Sequence, residues 1–421
     1  MGLSVLFLSD NEDNICMRLL VISRYFWPDT APFAAMLPPL LKRWAEDGRD
    51  VTVFSAQPSQ NLIKAKSKQP WKEQKDGYQV VRFPLFHESR GNILMRLFNM
   101  LLFMMGTLGY VLLNKKYDVL LTTSHPPIFL AWVTRWCAKL TGASFVNYYH
   151  DIYPELGHAA GLLKKGFLYR WLLNIDRKNC SQATAVVTLS KDMEATLKNR
   201  QPDETINFHI INSFILPSEE SASELPAEFI KPPEKFRILF AGNIGSFQGL
   251  DTVIEAAKLL GNHEDIQFLF VGDGTTKSGL ITQAGALTGK TLLFFPRQEI
   301  KIINRIMETA DLGLITLAPK IYKMAYPSKT MNYMAQGCPL LVAVEPESEL
   351  SQFVKEKNIG YVAPPQNATA LKDAILRAYE ERASHAEMRI RTARLAQEVF
   401  GQEQAANAWS HLTREVVSLK K

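Results

Sequence analysis

The chain has 421 residues, 47% of them apolar and 21% charged, which are the values of a globular protein. This length exceeds one ordinary hydrophobic core and therefore predicts two domains. The net charge of +6 is too small for a nucleic-acid-binding protein, yet it suits an anionic ligand or an anionic membrane surface.

The first predicted element follows a short N-terminal segment, residues 1–16, that lacks the basic start and long apolar run of a secretory signal. Met17 directly precedes "RLLVIS", which predicts a first buried strand. We expect residues 1–16 to be a disordered or start-site extension outside the fold, or else part of it. The four cysteines lack CxxC spacing, which argues against disulfides or a zinc site and favours a reducing compartment.

Short β-branched and aliphatic runs alternate with helical patterns in the first half of the chain. The runs that predict strands are 19–22, 51–54, 79–83, 119–122, 145–149 and 185–189. The patterns that predict helices lie around 40–46, 94–113, 129–139 and 167–178. This alternation predicts a parallel sheet covered on both faces. Pro38 and Pro39 predict that the first helix begins at them or kinks around them.

One helical segment, Ile93–Leu113, is long and apolar enough to span a bilayer. A membrane-surface helix, an ordinary buried helix and a true span are the alternatives. The span is disfavoured because Arg96 lies inside the segment, predicted strands flank it and no second such segment exists. The surface helix is favoured because basic residues at its ends suit anionic headgroups. These basic residues are Arg90, Arg96, Lys115 and Lys116. A second, basic amphipathic stretch, 161–179, suits the same membrane patch or a solvated helix face.

Residues 213–235 are rich in Ser, Glu and Pro, which predicts a linker between domains. The alternation then restarts, with predicted strands at 237–241, 267–271, 292–295, 312–317 and 340–344. We therefore divide the chain into a first domain, a linker, a second domain and a C-terminal helix free to pack back on the first domain. Their bounds are 17–215, 216–235, 236–395 and 396–421. Two doubly wound sheets in tandem place a cleft between them, and ligands of such sheets sit at the carboxyl ends of the strands.

Polar and glycine residues follow four predicted strands of the second domain. The first group, Gly242, Asn243, Gly245, Gln248 and Gly249, forms a strand-to-helix turn. Its backbone N–H groups would approach a phosphate closely, although a tight turn alone also explains the glycines. The later groups are Asp273 and Gly274, Arg297, and the helix start at Ser328, Lys329 and Asn332. Asp273 would bond a ligand hydroxyl or serve as a turn residue.

Lys329 stands out in "YPSKTMNYMAQG" because the first turn of a helix disfavours a cation. Ser328 is the predicted N-cap or a first-turn residue of that helix. An anion bound at the same end would hold the lysine there. The alternative is a solvated side chain with no role.

In this order and spacing, "FAGNIGSFQGLDTVIEAAKLL", "FVGDG", "TADLGLITL" and "YPSKTMNYMAQGCPLLVAV" resemble a glycosyltransferase of the GT-B fold, family 4, in the branch that builds bacterial surface polysaccharides. The stretches "ISRYFWPDTAPF", "YDVLLTTSHPPI" and "VNYYHDIYPELGHAAG" resemble the first domain of that family. The resemblance covers roughly residues 18–398. It implies two Rossmann-like domains of doubly wound parallel sheet that face a central cleft.

The resemblance also implies a reaction. A sugar moves from a nucleoside diphosphate sugar of UDP or GDP type, with retention of configuration and without metal or dinucleotide cofactor. The implied acceptor is a polyprenyl-linked saccharide at the cytoplasmic face of the inner membrane, and no nucleic acid takes part. A departing nucleoside diphosphate needs fixed dipoles and cations to stabilise its charge.

The chain departs from the family pattern in the donor site. Asn243 and Gln248 stand where many members have Arg and Lys, and Asn332 and Met324 stand where many have glutamates. Lys329 is then the best remaining phosphate cation of its stretch. The departures keep two alternatives open, a sugar-nucleotide 2-epimerase of the same fold and a catalytically idle subunit that binds a partner transferase.

On the acceptor side, the resemblance points to the loop that begins with His150 and Asp151. Either side chain would stabilise oxocarbenium-like charge or orient a hydroxyl, or the pair is a polar turn in which Asp151 caps a short helix. We also place Asp29, His125 and Glu155 on the acceptor side, with a structural role as the alternative for His125 and a rigid turn as that for Glu155.

Overall fold

The computed structural model describes residues 17–29, 32–58, 69–86, 93–216, 221–261 and 263–419. The expectation for residues 1–16 and the position of Arg90 lie outside the described residues. Within them the chain forms two α/β domains, each built on a largely parallel sheet.

The first domain contains β1 (Arg18–Ile22), α1 (Pro32–Glu46), β2 (Asp50–Ala56), β3 (Lys72–Lys75), β4 (Tyr78–Phe83), α2 (Ile93–Leu113), β5 (Val119–Thr123), α3 (Phe129–Thr141), β6 (Ser144–Tyr148), α4 (Glu155–Ala159), α5 (Phe167–Ser181), β7 (Ala185–Thr188), α6 (Lys191–Asn199) and β8 (Phe208–Ile210). Its strands lie in the order β3-β4-β2-β1-β5-β6-β7-β8. All neighbours are parallel except β3, which pairs antiparallel with β4. In the central strands β5 and β6 every side chain is buried, as expected of a sheet covered on both faces.

The second domain contains β9 (Phe236–Ala241), α7 (Leu250–Leu259), β10 (Ile266–Val271), α8 (Lys277–Ala284), β11 (Leu292–Phe295), α9 (Ile300–Thr309), β12 (Leu312–Thr316), α10 (Lys329–Ala335), β13 (Leu340–Ala343), α11 (Glu349–Lys357), β14 (Gly360–Ala363), α12 (Ala368–Glu380) and α13 (His385–Phe400). Its sheet is wholly parallel, in the order β11-β10-β9-β12-β13-β14. The predicted parallel sheets are thus confirmed in both domains. Three short strands, β3, β8 and β14, were not predicted, because none of them is a continuously buried apolar run: β3 is charged and alternates between exposed and half-buried residues, and β8 and β14 are only partly buried.

Helix α1 contains both prolines in its interior, so the prediction that it begins at them is wrong. Each internal proline removes a helical hydrogen bond and costs about 3 kcal/mol or more. The inner face of the helix offsets this cost, because Leu37, Leu41 and Trp44 are almost completely buried. Each such side chain contributes roughly 1.5–3 kcal/mol on burial.

Helix α2 buries a narrow stripe and leaves most of its surface exposed. Its buried residues, Asn99, Phe103, Thr107 and Val111, recur every fourth residue. Asn99 donates to the carbonyl of Phe86 (2.8 Å) and accepts from its N–H (3.0 Å), which fixes the helix to the chain that leaves β4. The described residues contain one helix, α2, that is long and apolar enough to cross a membrane. Only 28% of its most apolar 18-residue stretch is buried. The alternative of an ordinary buried helix is therefore wrong.

The C-terminal region divides at Gly401. Before it, α13 packs on the second domain, where Arg389 donates to the carbonyl of Ala310 (2.7 Å). After it, α14 (Gln402–Ser418) packs on the first domain. The Trp409 and Trp44 rings meet edge to face with centroids 6.0 Å apart, and Arg49 donates to the Ser410 hydroxyl (3.1 Å). The last helix therefore ties the two domains together.

Candidate active site

The two sheets present the carboxyl ends of their strands to one cleft. The loop after β6 reaches across it, because Asp151 forms an antiparallel backbone bridge with Ala325 and the N–H of Ile152 donates to the carbonyl of Met324 (2.8 Å). The first-domain loop that follows the strand is thus fixed against the second-domain chain that precedes α10.

A cavity of about 200 Å³ lies at this junction. Asp151 and Leu156 line it from the first domain. Gln248, Ser328 and Lys329 line it from the second domain. Three predicted donor residues and one predicted catalytic residue therefore share one space, although they come from separate parts of the chain.

Lys329 is the cation of this cavity. Its ammonium donates to Gln248 Oε1 (2.8 Å) and lies 4.6 Å from the centre of the Phe240 ring. Burial lowers its pKa to about 8, and no carboxylate of the described residues forms a salt bridge with it. The alternative of a solvated side chain is therefore wrong. A half-buried ammonium held by one amide and one ring face retains donor capacity for an anion.

The glycine turn after β9 makes room for this lysine. A Cβ on Gly242 would lie 2.8 Å from Lys329 Cε, and Gly242 and Gly249 have φ values of 137° and 59°. Asn243 is exposed at the rim of the turn, and Gly245 begins the short 3₁₀ turn Ser246–Gln248 that leads into α7. The turn therefore leaves room for the Lys329 side chain and leads the chain into α7.

The glycines after β10 have a packing role. A Cβ on Gly272 would lie 1.9 Å from the carbonyl oxygen of Gly242, and one on Gly274 would lie 2.1 Å from that of Ile244. The two glycine turns therefore stack backbone against backbone, and the space that Gly274 leaves is filled by the protein itself.

Asp273 already has partners. Its carboxylate accepts from the Lys277 ammonium (3.0 Å) and from the N–H of Arg297 (3.2 Å), and the hydrogen bond from Lys277 lowers its pKa. Lys277 also donates to the carbonyls of Gly272 and Phe295, so it joins two strand ends. Sequence reasoning missed Lys277, although its spacing of four residues from Asp273 is a helical ion-pair signal. The side chain of Arg297 is exposed at the same rim.

Helix α10 begins where the sequence pattern predicts it, with Ser328 at its N-cap position. Ser328 makes no side-chain capping bond, and the helix has only seven residues. Asn332 is exposed on its outer side. The inner side carries Tyr333, which accepts from the N–H of Ala241 (2.8 Å) and donates to the carbonyl of Leu239 (3.1 Å). Tyr333 anchors α10 to β9 and went unnoticed in the sequence because an aromatic residue in a helix is commonly core.

His150 lies beside the cavity rather than in its lining. Its ring contacts Phe33 (3.9 Å between centroids) and Tyr148 (4.1 Å), and burial together with the nearby His125 holds its pKa well below its ordinary value. Both ring nitrogens are buried and lack a hydrogen-bond partner among the described residues. The imidazole is therefore neutral at pH 7 and keeps a donor and an acceptor nitrogen for a polar ligand.

Asp151 is the acid of the cavity. Burial raises its pKa to about 6, so it is mainly a carboxylate at neutral pH. The Glu155 carboxylate instead binds Arg200 (2.9 and 2.5 Å), and Arg200 also binds Asp176 (2.6 Å). Glu155 thus fixes the loop, and sequence reasoning gave no signal for a partner 45 residues away.

The two remaining acceptor-side residues lie in the first domain near its strand ends. Asp29 is buried and accepts from the N–H of Phe26 (3.4 Å), which closes the turn after β1. His125 is half-buried with its ring edge-on to Tyr25 (6.0 Å), and burial lowers its pKa. Among the described residues no three His, Cys, Asp or Glu side chains form a group that could hold a metal ion, and metal independence stays a prediction.

Two family models match the chain, one for each domain. Residues 34–206 match the glycosyl transferase 4-like domain, and residues 221–396 match glycosyl transferases group 1. Among curated relatives, the chain is 30% identical over 267 residues to the probable glycosyltransferase WbjE of Pseudomonas aeruginosa, which covers 61% of this chain and 65% of the relative. It is 25% identical over 376 residues to the putative colanic acid biosynthesis glycosyl transferase WcaI of Escherichia coli K12, which covers 86% of this chain and 92% of the relative.

Solved structures share the fold. Sucrose-phosphate synthase from Thermosynechococcus elongatus superposes with a TM-score of 0.73 at 17% identity and covers 96% of this chain and 100% of its own. Alr3699/HepE from Anabaena, in complex with UDP and glucose, has a TM-score of 0.66 at 15% identity and covers 95% and 100%. Family models match both domains, and both sheets have the strand order described above. The chain therefore belongs to the GT-B glycosyltransferases of family 4 type.

Proposed function

We propose that the protein is a retaining glycosyltransferase that uses a UDP- or GDP-sugar and a lipid-linked saccharide acceptor. The observation that carries this proposal is the cavity in which Lys329 and Gln248 face Asp151. A cation and an amide on one wall suit a leaving diphosphate, and a carboxylate on the opposite wall suits the sugar that becomes electron-poor.

The donor half of the reaction falls to the second domain. Lys329 would neutralise part of the charge that grows on the leaving diphosphate, and it has no salt bridge among the described residues to give up when it does so. Gln248 would position the ammonium, and the glycine turn would add backbone N–H donors. Low local dielectric strengthens these contacts, because the cavity lies between the domains.

The acceptor half falls to the first domain. At neutral pH the Asp151 carboxylate would stabilise the oxocarbenium-like sugar or orient the attacking hydroxyl, while the leaving diphosphate takes the proton of that hydroxyl. His150, whose two ring nitrogens lack partners among the described residues, would bind a hydroxyl of the sugar or the acceptor. Such a reaction needs no separate general base and, in this scheme, no metal.

The biological setting is inferred from relatives. WcaI is described by its name as a colanic acid biosynthesis enzyme, and a structural neighbour, WaaG, by its title as involved in lipopolysaccharide biosynthesis. UDP-bound neighbours of the same fold favour a nucleotide-sugar donor. We therefore place this protein in bacterial surface-polysaccharide synthesis, at the cytoplasmic side of the inner membrane.

A panel of UDP- and GDP-sugars tests the proposal. Purified protein is incubated with each donor, with and without membrane lipid extract, and nucleoside diphosphate release is measured. We expect release from one donor that depends on lipid, is greatly reduced in Asp151→Asn, and yields a product with the donor's anomeric configuration by NMR.

The competing functions give different outcomes. A sugar-nucleotide 2-epimerase would convert the donor to its C2 epimer without lipid, which chromatography of the nucleotide sugars detects. An idle subunit would show neither turnover nor a nucleotide-dependent rise in melting temperature.

A further inference from the structure

Three helices of the first domain form one continuous outer surface. Helix α2 packs beside α3, and α3 packs beside α5. The rings of Phe129 and Trp171 meet with centroids 6.0 Å apart, and Asn179 donates to the carbonyl of Ile128 (2.9 Å). We call the solvent-facing side of α2, α3 and α5 the outer helical face.

The outer helical face is apolar where a soluble protein would be polar. On α2 the residues Leu94, Leu97, Leu101 and Met105 are all exposed, Leu94 by 80%. These positions recur at helical spacing on the side opposite the buried stripe. Soluble proteins usually expose apolar residues singly, whereas here the exposed leucines form a row along one side of the helix.

The neighbouring helices extend this surface with aromatic residues. On α3, Trp132 and Trp136 are exposed, and on α5 the exposed residues are Phe167 and Trp171. Lys139 Nζ lies 5.3 Å from the centre of the Trp136 ring, so a cation and an indole occupy one spot. Trp and Lys side chains of this kind favour the headgroup region of a bilayer.

The charge of this surface is one-sided. Segments 93–116, 129–141 and 161–181 together hold ten Lys or Arg residues, nine of them exposed and one, Arg135, buried, and one acid, Asp176. Asp176 is buried and bound to Arg200. The three segments therefore have a net charge of +9, whereas the whole chain has +6 and the remainder is negative.

The inner stripe of α2 decides how a membrane would meet the helix. Phe103 stacks on Phe54 with centroids 5.6 Å apart, and Asn99 is bound to the backbone of Phe86. A helix that shares the domain core in this way cannot be surrounded by lipid. It lies flat, as interfacial helices do.

We propose that the outer helical face docks flat on an anionic lipid bilayer, with α3 joining α2 and α5 into one binding surface. The cores of protein–protein interfaces are depleted of charge, whereas here cations accompany the exposed apolar residues. Anionic lipid satisfies both features at once, so the bilayer is the occupant that the surface fits.

Docking in this way would also serve the proposed transfer, and this part rests on the proposed function. Ile128 and Ala131 at the start of α3, Asp176 of α5 and Asp151 of the cleft line one small shared cavity. The acceptor wall of the active site thus lies on the inner side of α3 and α5, about one helix diameter from the outer helical face. The headgroup of a lipid-linked saccharide would reach Asp151 while its lipid stays in the bilayer.

Vesicle flotation with the full chain tests the docking. The vesicles contain phosphatidylglycerol and phosphatidylcholine, or phosphatidylcholine alone. We expect binding to the anionic vesicles only, with a decrease as salt rises. Lys164→Glu with Lys165→Glu should weaken it by more than about a hundredfold, since each unit of charge near an anionic surface contributes about a fivefold factor and each reversal removes two units. Lys355→Glu with Lys357→Glu, exposed lysines on α11, is the matched control and should leave binding nearly unchanged.

The apolar part has its own pair of variants. Leu97→Ser, Leu101→Ser and Met105→Ser together should weaken vesicle binding at least about tenfold. Leu259→Ser, Ile300→Ser and Ile390→Ser, all exposed on the second domain, are the control. Equal losses in both sets, or no binding to anionic vesicles, would overturn the proposal. So would a dimer without lipid that the α2 variant converts to monomer, because the surface would then bind a second copy.

Donor-induced thermal shifts separate this proposal from the proposed function. The surface variants should keep the wild-type shift with nucleotide. Intact vesicle binding without any donor binding would leave the membrane surface standing and remove the transferase assignment.

Discussion

Replacing Lys329 with methionine tests the donor site most directly. Methionine keeps the unbranched stem that packs beside Gly242, while it removes the ammonium that Gln248 and the Phe240 ring hold. The variant should therefore change folding stability and ligand affinity in opposite directions. The buried charge of Lys329 destabilises the unliganded protein, whereas it stabilises the complex with an anionic ligand.

The structure sets the expected size of both effects. Burial lowers the pKa of Lys329 from 10.5 to about 8. This shift corresponds to a destabilisation of the folded protein by roughly 3 kcal/mol when the ammonium is charged. The lost hydrogen bond is worth about 1 kcal/mol and the lost cation–π contact about 1 kcal/mol. Lys329→Met should therefore raise the free energy of unfolding by about 1 kcal/mol at pH 7. It should weaken nucleoside diphosphate binding by about 10- to 150-fold, the value of charge-assisted bonds worth about 1.5–3 kcal/mol.

The pH dependence follows from the same shift. Between pH 8 and 10.5 the unfolded chain holds a proton that the folded chain has lost, so the lysine contributes a rise in stability with pH. Comparison of wild type with Lys329→Met isolates this rise, because all other groups are shared. Nucleotide affinity of the wild type should fall above pH 8, by up to about tenfold per unit, while that of the variant stays flat.

Calorimetric titration with UDP and GDP measures the affinity, and thermal unfolding measures the stability. Lys323→Met, an exposed lysine that precedes the same helix, is the control and should change neither quantity. An unchanged nucleotide affinity in Lys329→Met would remove Lys329 from the phosphate site. A strongly destabilised variant would refute the account of a costly buried charge.

Three further predictions concern the loops that frame the cavity. Asp151→Asn should leave the nucleotide-induced thermal shift intact and lower the transfer rate by about 10²–10³-fold, and wild-type transfer should decline as pH falls through about 6, where this carboxylate becomes protonated. Arg200→Met should cost about 3–5 kcal/mol in urea unfolding, because it removes the cation that pairs with the buried Asp176 and the half-buried Glu155, and a cost under about 1 kcal/mol would contradict that role. Gly272→Ala and Gly274→Ala should each destabilise by about 3 kcal/mol or more, whereas Gly279→Ala, with open space around its Cβ, should be neutral or stabilising by up to about 1 kcal/mol.

Much of the fold could be predicted from the local sequence pattern. The alternation of short aliphatic runs with helical patterns predicted two parallel sheets, because buried parallel strands are apolar throughout and so differ from amphipathic helices. It did not predict β3, a charged edge strand that pairs with β4, nor the helical turns that precede Pro38. In both cases packing against neighbours overrides the local preference.

Part of the candidate site was also predictable from local pattern. The order of the glycine turn, the strand ends and "YPSKTMNYMAQG" indicated Gln248 and Lys329 as donor-site residues. The same pattern gave no sign that Asp273 and Glu155 have ionic partners in the fold, which are Lys277 and Arg200. Ionic partners are chosen by distance in space, and sequence spacing seldom shows it.

The sequence by itself therefore determined the two sheets, the family resemblance and the residues at the strand ends, since these depend on local pattern and order. Tertiary structure alone decided that Asp151 and Lys329 share one cavity, through a backbone bridge between Asp151 and Ala325 in different domains. It also decided that α14 returns to the first domain, where Arg49 meets Ser410 across 361 residues of chain. The physical reason is that burial and electrostatics act over a few ångströms regardless of sequence distance, so a site between domains exists only once both have folded.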